Sequence, residues 1–178
     1  MSGGTDVTTA ADGGFATDGF AVDGFAVDWM LGRLARWLRV LGHDVAWGPH
    51  LRRRALVACA RAEGRLLVTR DTRLVRDPDL PPHVFITRDR FRDQLRELAA
   101  HTALAAVPFT RCLDCNRPLE AVPRDAAAGR VPPYVLETSP RFHRCPGCDR
   151  LYWPATHHAH MVRELAALGL GPEVAPHG

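Results

Sequence analysis

Four cysteines carry the sharpest chemical signal in the chain. Cys112 and Cys115 form one C-x2-C pair, Cys145 and Cys148 form a second, and 29 residues separate the two. Each such turn presents two thiolates to one face of a tetrahedral ion, so the spacing predicts a single structural zinc site in a ribbon. The gap exceeds the roughly 15–20 residues of the commonest ribbons. A hairpin carrying an insertion, such as the Val131-Pro132-Pro133 stretch, is therefore expected. Both pairs sit in the frame Arg-Cys-x-x-Cys-x-Arg, with Arg111 and Arg117 around the first and Arg144 and Arg150 around the second. Four thiolates on Zn2+ carry a charge of about −2, which flanking guanidinium groups offset. Phe142, Tyr152 and Trp153 are expected to form the small core of the ribbon, with base stacking as their alternative use.

A second constellation is acidic. Asp28, Asp71 and Asp89 each follow the end of a short apolar, strand-like run. Carboxylates gathered at one end of a sheet suit one or two Mg2+ or Mn2+ ions, which activate water and offset the charge that develops in phosphodiester cleavage. The simpler use of an aspartate there is to cap the next helix, and Asp28 and Asp71 are each placed for it. Arg33, Arg36 and Arg39 lie on the helix that starts at Asp28, and Arg70 and Arg88 each precede an aspartate. These are phosphate anchors in a nuclease reading and a solvated face otherwise.

A parallel sheet is needed to bring those aspartates together. Phe25–Asp28 reads as the first strand, followed by a helix over 29–41 that Gly42 ends. A short strand at 44–47, a helix over 51–63 closed by Gly64, strands at 66–69 and 83–87 and a helix over 91–103 complete an alternating pattern. Strands alternating with helices imply a parallel sheet covered on both faces. Pro108 marks the boundary with the ribbon, which a helix over 157–168 closes with Thr156 as its N-cap. Residues 1–23 and 169–178 read as disordered tails, and the pentad Gly-Phe-Ala-Thr/Val-Asp recurs at 14–18, 19–23 and 24–28 as a local duplication. The expected domains are 24–107 and 108–168.

Composition bounds the partners. A net charge of +3 gives no global attraction for nucleic acid, so any basic footprint must be local. All 23 basic residues are arginine, which is attributed to genome composition. Neither a secretion signal nor an apolar run of membrane-spanning length is evident, so the chain is expected to be cytoplasmic, without a membrane partner. In a reducing compartment metal binding explains the cysteines better than disulfides, and Cys59 is expected to be a buried thiol. His157, His158 and His160 do not share a helical face and are not expected to bind a metal.

The motifs Val27-Asp-Trp-Met-Leu-Gly-Arg-Leu-Ala-Arg-Trp-Leu-Arg-Val-Leu-Gly42, Leu67-Val-Thr-Arg-Asp71, Pro108-Phe-Thr-Arg-Cys-Leu-Asp-Cys-Asn-Arg-Pro-Leu119, Val131-Pro-Pro133 and Arg144-Cys-Pro-Gly-Cys148 with Tyr152-Trp153 resemble the Mut-seven C-terminal RNase domain family. The resemblance spans residues 25 to 161. It implies a PIN-like three-layer α/β/α domain fused to a zinc ribbon and a metal-dependent ribonuclease with RNA as partner. Asp28 and Asp71 would occupy two of its acidic positions, and Asp89 falls where the family tends to be acidic. One departure matters: Arg52-Arg53-Arg54 stands where the family usually has Asp and Glu opening the second helix. A guanidinium about 6 Å from a divalent ion repels it by roughly 5 kcal/mol at an effective dielectric near 20. Three functions follow: a Mg/Mn-dependent ribonuclease with Asp28, Asp71 and Asp89 as catalytic residues and Arg33, Arg36, Arg70 and Arg88 on RNA; a catalytically silent RNA-binding protein; and a zinc-stabilised adaptor for a protein partner.

Overall fold

The computed structural model describes residues 24–104 and 107–170. The expected tail 1–23, with two of the three pentads, and all but the first two residues of the tail 169–178 lie outside the described residues.

Strands β1 (Phe25–Val27), β2 (Val45–Ala46), β3 (Leu66–Thr69) and β4 (His83–Phe85) form one parallel sheet in the order β2-β1-β3-β4. The two central strands are buried along their whole length, which is why they read as unbroken apolar runs. Side chains alternate between the faces. Phe25, Val27 and Val68 pack with Leu34 and Leu38 of helix α1 (Gly32–Val40) and with Leu95 and Leu98 of helix α3 (Phe91–Ala99). Ala26 and Leu67 point the other way, onto Leu56, Val57 and Ala60 of helix α2 (Arg53–Ala62). The expected three layers are therefore present. The chain runs from β1 outward to β2, then returns past β1 to β3, so the order reverses between β1 and β3. In open α/β sheets that reversal opens the crevice where ligands sit, beyond the carboxyl ends of the strands.

Gly42, at φ +96°, and Gly64, at φ +61°, follow α1 and α2 as expected. Two helix limits differ from expectation. Trp29–Leu31 is a separate 3-10 turn because Asp28 Oδ1 accepts the Met30 N–H at 3.3 Å and caps it, leaving Met30 exposed instead of packed. Helix α3 stops at Ala99, ahead of the expected limit near Ala103.

The C-terminal part holds an antiparallel sheet of β5 (Glu120–Val122), β6 (Phe142–Arg144) and β7 (Leu151–Tyr152). The long gap between the cysteine pairs is a helical insertion, a 3-10 turn at Arg124–Ala127 followed by α4 (Pro133–Thr138), which opens on a proline at its first position. Ala127, Val131, Val135 and Phe142 form a small core with Trp153 against it. The closing helix α5 (Thr156–Ala167) starts with Thr156 inside it and Ala155 as the N-cap, one residue before the expected cap. Its Leu165 packs into the α1–α3 core, and Arg92 of α3 meets Glu164 at 2.7 Å, so α5 ties the ribbon back onto the sheet domain. Among the described residues no helix is long and apolar enough to cross a membrane.

Candidate metal centre and candidate active site

The two cysteine knuckles are copies of one turn. Cys112 N–H donates to Arg117 O at 2.8 Å and Asn116 N–H to Cys112 O at 3.0 Å; Cys145 N–H donates to Arg150 O and Asp149 N–H to Cys145 O, both at 2.9 Å. The residue after each second cysteine turns the chain through left-handed space, Asn116 at φ +66° and Asp149 at φ +58°. Asparagine and aspartate are the non-glycine types that tolerate this conformation. The result brings the four Sγ atoms within 4.8 Å of one another. Neighbouring pairs lie at 3.1 Å (Cys115–Cys145), 3.4 Å (Cys112–Cys115) and 3.6 Å (Cys112–Cys148). Tetrahedral zinc with bonds of about 2.3 Å needs sulfurs about 3.8 Å apart, so a small expansion seats the ion. Cys112 is prepared as a thiolate. Burial disfavours its charge, but the Cys115 N–H and the Tyr152 hydroxyl, 3.1 Å away, donate to it, and its pKa falls to about 6. The Leu113 N–H fixes that hydroxyl in turn, at 3.2 Å.

The flanking arginines act on oxygen atoms around the knuckles. Arg111 donates to Gly42 O and Asn116 O and meets Asp44 at 3.3 Å; Arg150 pairs with Asp114, and Arg144 reaches Glu120 at 3.8 Å. Phe142 is buried and so unavailable to a base, Tyr152 is engaged with Cys112, and Trp153 lines an apolar cavity with Phe109 and His158. Among the described residues the cysteines form the only metal-capable group of three or more His, Cys, Asp or Glu.

Arg39 is the residue that sequence reasoning misplaced. It is only 3% exposed, and its guanidinium donates to Leu113 O at 3.0 Å and Asp114 O at 2.8 Å in the first knuckle, and to Val45 O at 2.9 Å in β2. Burial pushes its pKa down against the attraction of Cys112, Cys115, Asp114 and Asp44. A signal was available: at 3.6 residues per turn Arg39 stands about 120° round the helix from Arg33. Asn116 completes the seam, accepting the Val45 N–H at 3.0 Å and donating to Asp44 Oδ1 at 2.8 Å. The first knuckle thereby covers the edge of β2. Cys59 also departs from expectation, being half-exposed with Sγ 3.4 Å from Glu63 Oε1.

At the other end of the molecule, Asp28 and Asp71 meet around Thr69 at the reversal between β1 and β3. The Thr69 hydroxyl donates to Asp28 Oδ2 at 2.8 Å and accepts the Asp71 N–H at 3.0 Å. Asp89 joins less directly: its side chain is 87% exposed and pairs with Arg70 at 2.6 Å, while the Arg70 N–H points at Asp28 Oδ2 from 3.4 Å. Asp71 carries two further donors, the Arg73 N–H at 2.9 Å and Arg53 Nε at 2.8 Å. Burial raises its pKa, but these donors lower it by more, and the net shift is downward. Arg53 thus lies where the departure from the family pattern put a cation, directly on a carboxylate. It sits at φ +28° and its side chain is 56% exposed.

The acidic end borders a cleft of about 660 Å3 between α1 and α3, lined by Arg33, Arg70, Arg90, Arg92 and Arg96 together with Met30, Phe91, Asp89 and Asp93. Arg33 stacks over the Phe91 ring at 4.0 Å. Of the four expected RNA-binding arginines, Arg33 and Arg70 line this cleft. Arg36 turns toward the ribbon, 3.7 Å from Asp114, and Arg88 borders an adjoining depression with Arg96 and Glu97.

The donor set can be tested against Mg2+ or Mn2+. Mg2+ keeps several waters and needs one or two carboxylates, so Asp28 and Asp71 meet its demand in oxygen chemistry. Among the described residues Asp28, Asp71 and Asp89 do not gather into a metal-capable group, and Asp71 and Asp89 are each paired with an arginine.

No curated protein and no solved structure matches the chain significantly. The family model described as Mut7-C RNAse domain matches residues 23–165, which covers both the aspartates and the cysteine knuckles. The chain belongs to the Mut7-C RNAse domain family.

Proposed function

We propose that the protein is a ribonuclease that hydrolyses phosphodiester bonds of RNA at the carboxyl end of the parallel sheet. The observation that carries this reading is the meeting of Asp28 and Asp71 around Thr69, at the reversal of strand order and beside an arginine-lined cleft. Asp28 and Asp71 would hold Mg2+ or Mn2+, with Asp89 as a further carboxylate after leaving Arg70. When bound, the ion supplies an activated water and offsets charge on the phosphate. Thr69 orients the Asp28 carboxylate and holds the backbone N–H of Asp71. Arg33 and Arg70 bind the RNA backbone from the cleft side, and the exposed Met30 offers an apolar surface to a base. The four cysteines hold a structural zinc ion, whose role is to secure the ribbon and, through Arg39 and Asn116, the β2 edge.

The Arg53–Asp71 pair favours a second reading, a silent RNA-binding protein, because a guanidinium already neutralises the carboxylate that a metal would need. Incubation of the zinc-loaded protein with labelled single-stranded RNA and Mn2+, beside Asp28→Asn, separates them. Cleavage that falls at least about a hundredfold in the variant supports the nuclease; unchanged cleavage removes the site, and RNA binding without cleavage supports the silent reading. No affinity for RNA at low salt leaves the protein-adaptor reading.

A further inference from the structure

A second arginine cluster lies on the opposite face of the sheet from the cleft. Arg53, Arg54, Arg61 and Arg73, with Asp77 as the single acidic member, line a depression of about 330 Å3 between α2 and the turn that follows β3. Helix α2 and the α1–α3 pair cover different faces, so the two basic depressions flank the sheet end that carries Asp28 and Asp71. Much of this cluster is unspent. Arg61 donates to the Asp79 carbonyl, whereas the guanidinium groups of Arg54 and Arg73 have no hydrogen-bond or ion-pair partner among the described residues and both residues are exposed. Four like charges in one small depression repel one another, and a bound anion relieves that repulsion. Helix α2 also begins with no side-chain cap; the Ala55 N–H donates to Arg52 O at 2.9 Å, which leaves the Arg53 and Arg54 N–H groups open to the same anion.

Arg53 belongs to both places, since it lines the depression and holds Asp71 Oδ2 at 2.8 Å. We propose that this depression is a second phosphate-binding site for RNA, and that a phosphate held there by Arg54 and Arg73 takes Arg53 away from Asp71. The inference rests on the RNA-binding reading above and extends it. One strand then runs from the Arg33–Arg70 cleft, past the partly exposed Asp28 and Asp71, to the α2 face. The contact that blocks Asp71 in the free protein is released by the substrate itself. The arginines at 52–54, which count against a metal site while Arg53 stays on Asp71, become a device that exposes the carboxylate when RNA is present.

The test uses the full-length, zinc-loaded protein and a labelled oligouridylate, with affinity measured across a salt series. R54A/R73A removes two exposed side chains and is checked for an unchanged Tm; R33A/R70A serves as the cleft control. Each phosphate contact on a single strand contributes about 0.7 to the slope of log K against log salt, so R54A/R73A should lower the slope by roughly 1.4 and weaken binding about tenfold. Saturating oligouridylate should also shift the Asp71 carboxyl 13C signal toward its position in Arg53→Gln, and should fail to do so in R54A/R73A. Wild-type slope and affinity in R54A/R73A, with loss in R33A/R70A, would overturn the second site and leave the RNA reading intact. An Asp71 signal that ignores RNA would overturn the sharing of Arg53. Absence of any binding by the wild type at low salt would overturn both readings.

Discussion

The cysteine cluster and the aspartates at the end of the sheet are assembled in opposite ways. Each knuckle closes within a few residues through its own backbone hydrogen bonds, and two equal turns then need only face each other. The aspartates follow β1, β3 and β4, and they share one end of the sheet only because the strands align in parallel. The cysteines are mutually close and close to their ion's geometry. The carboxylates do not gather in this way: Asp28 is bonded to Thr69, Asp71 to Arg53 and Asp89 to Arg70. A locally encoded site is complete in the free protein, whereas a site built from distant segments is left dependent on side chains that can move.

The largest effect should come from breaking the local site. Cys112→Ala should abolish stoichiometric zinc and unfold the ribbon, because structural zinc in small modules is worth about 10 kcal/mol or more. Hydrogen exchange should then accelerate across β5–β7 and at the Val45 amide that Asn116 covers, with β3 still protected. Protection of β5–β7 that survives zinc loss would mean that the Phe142 core, not the ion, holds the ribbon.

A smaller effect should follow at the seam between the two regions. Arg39→Ala removes a buried guanidinium from three carbonyls and should cost about 3 kcal/mol in denaturant unfolding. Arg36→Ala, which loses only an exposed 3.7 Å pair, should cost less than about 0.5 kcal/mol. Equal losses in the two variants would place Arg39 on the solvated stripe after all.

The smallest effect is electrostatic. The Asp71 carboxyl should titrate below the ordinary aspartate value of about 3.9, and Arg53→Gln should move its midpoint upward. Because the folded pKa is depressed, the associated stability is present above the unfolded pKa and is lost as pH falls through the folded one. Because Arg53 is 56% exposed and solvent screens most of its repulsion, the same variant should bind Mn2+ only about tenfold more tightly, read by the free-ion EPR signal. Unchanged Mn2+ affinity would show that Arg53 does not guard the carboxylates.

Legibility followed the same division. The apolar runs Phe25–Val27 and Leu66–Thr69 and the helical spacing of Phe91, Leu95 and Leu98 announce buried elements, because period and burial are linked within one segment. The limits of the first helix were less legible, since the Asp28 cap spends Trp29–Leu31 on a separate turn. Arg39 reads in sequence as one more exposed arginine, and its burial depends on the knuckle carbonyls of Leu113 and Asp114, 74 and 75 residues away.

The sequence by itself determined the two cysteine turns and the alternation of strands and helices, because each depends on neighbours a few residues apart. Tertiary structure alone decided that Thr69 joins Asp28 to Asp71, that Arg53 lies on Asp71, and that the first knuckle covers the edge of β2. Apart from the local Asp71–Thr69 bond, those contacts join residues 18, 41 and 71 positions apart. Their geometry exists only once strand order and helix packing bring the segments side by side.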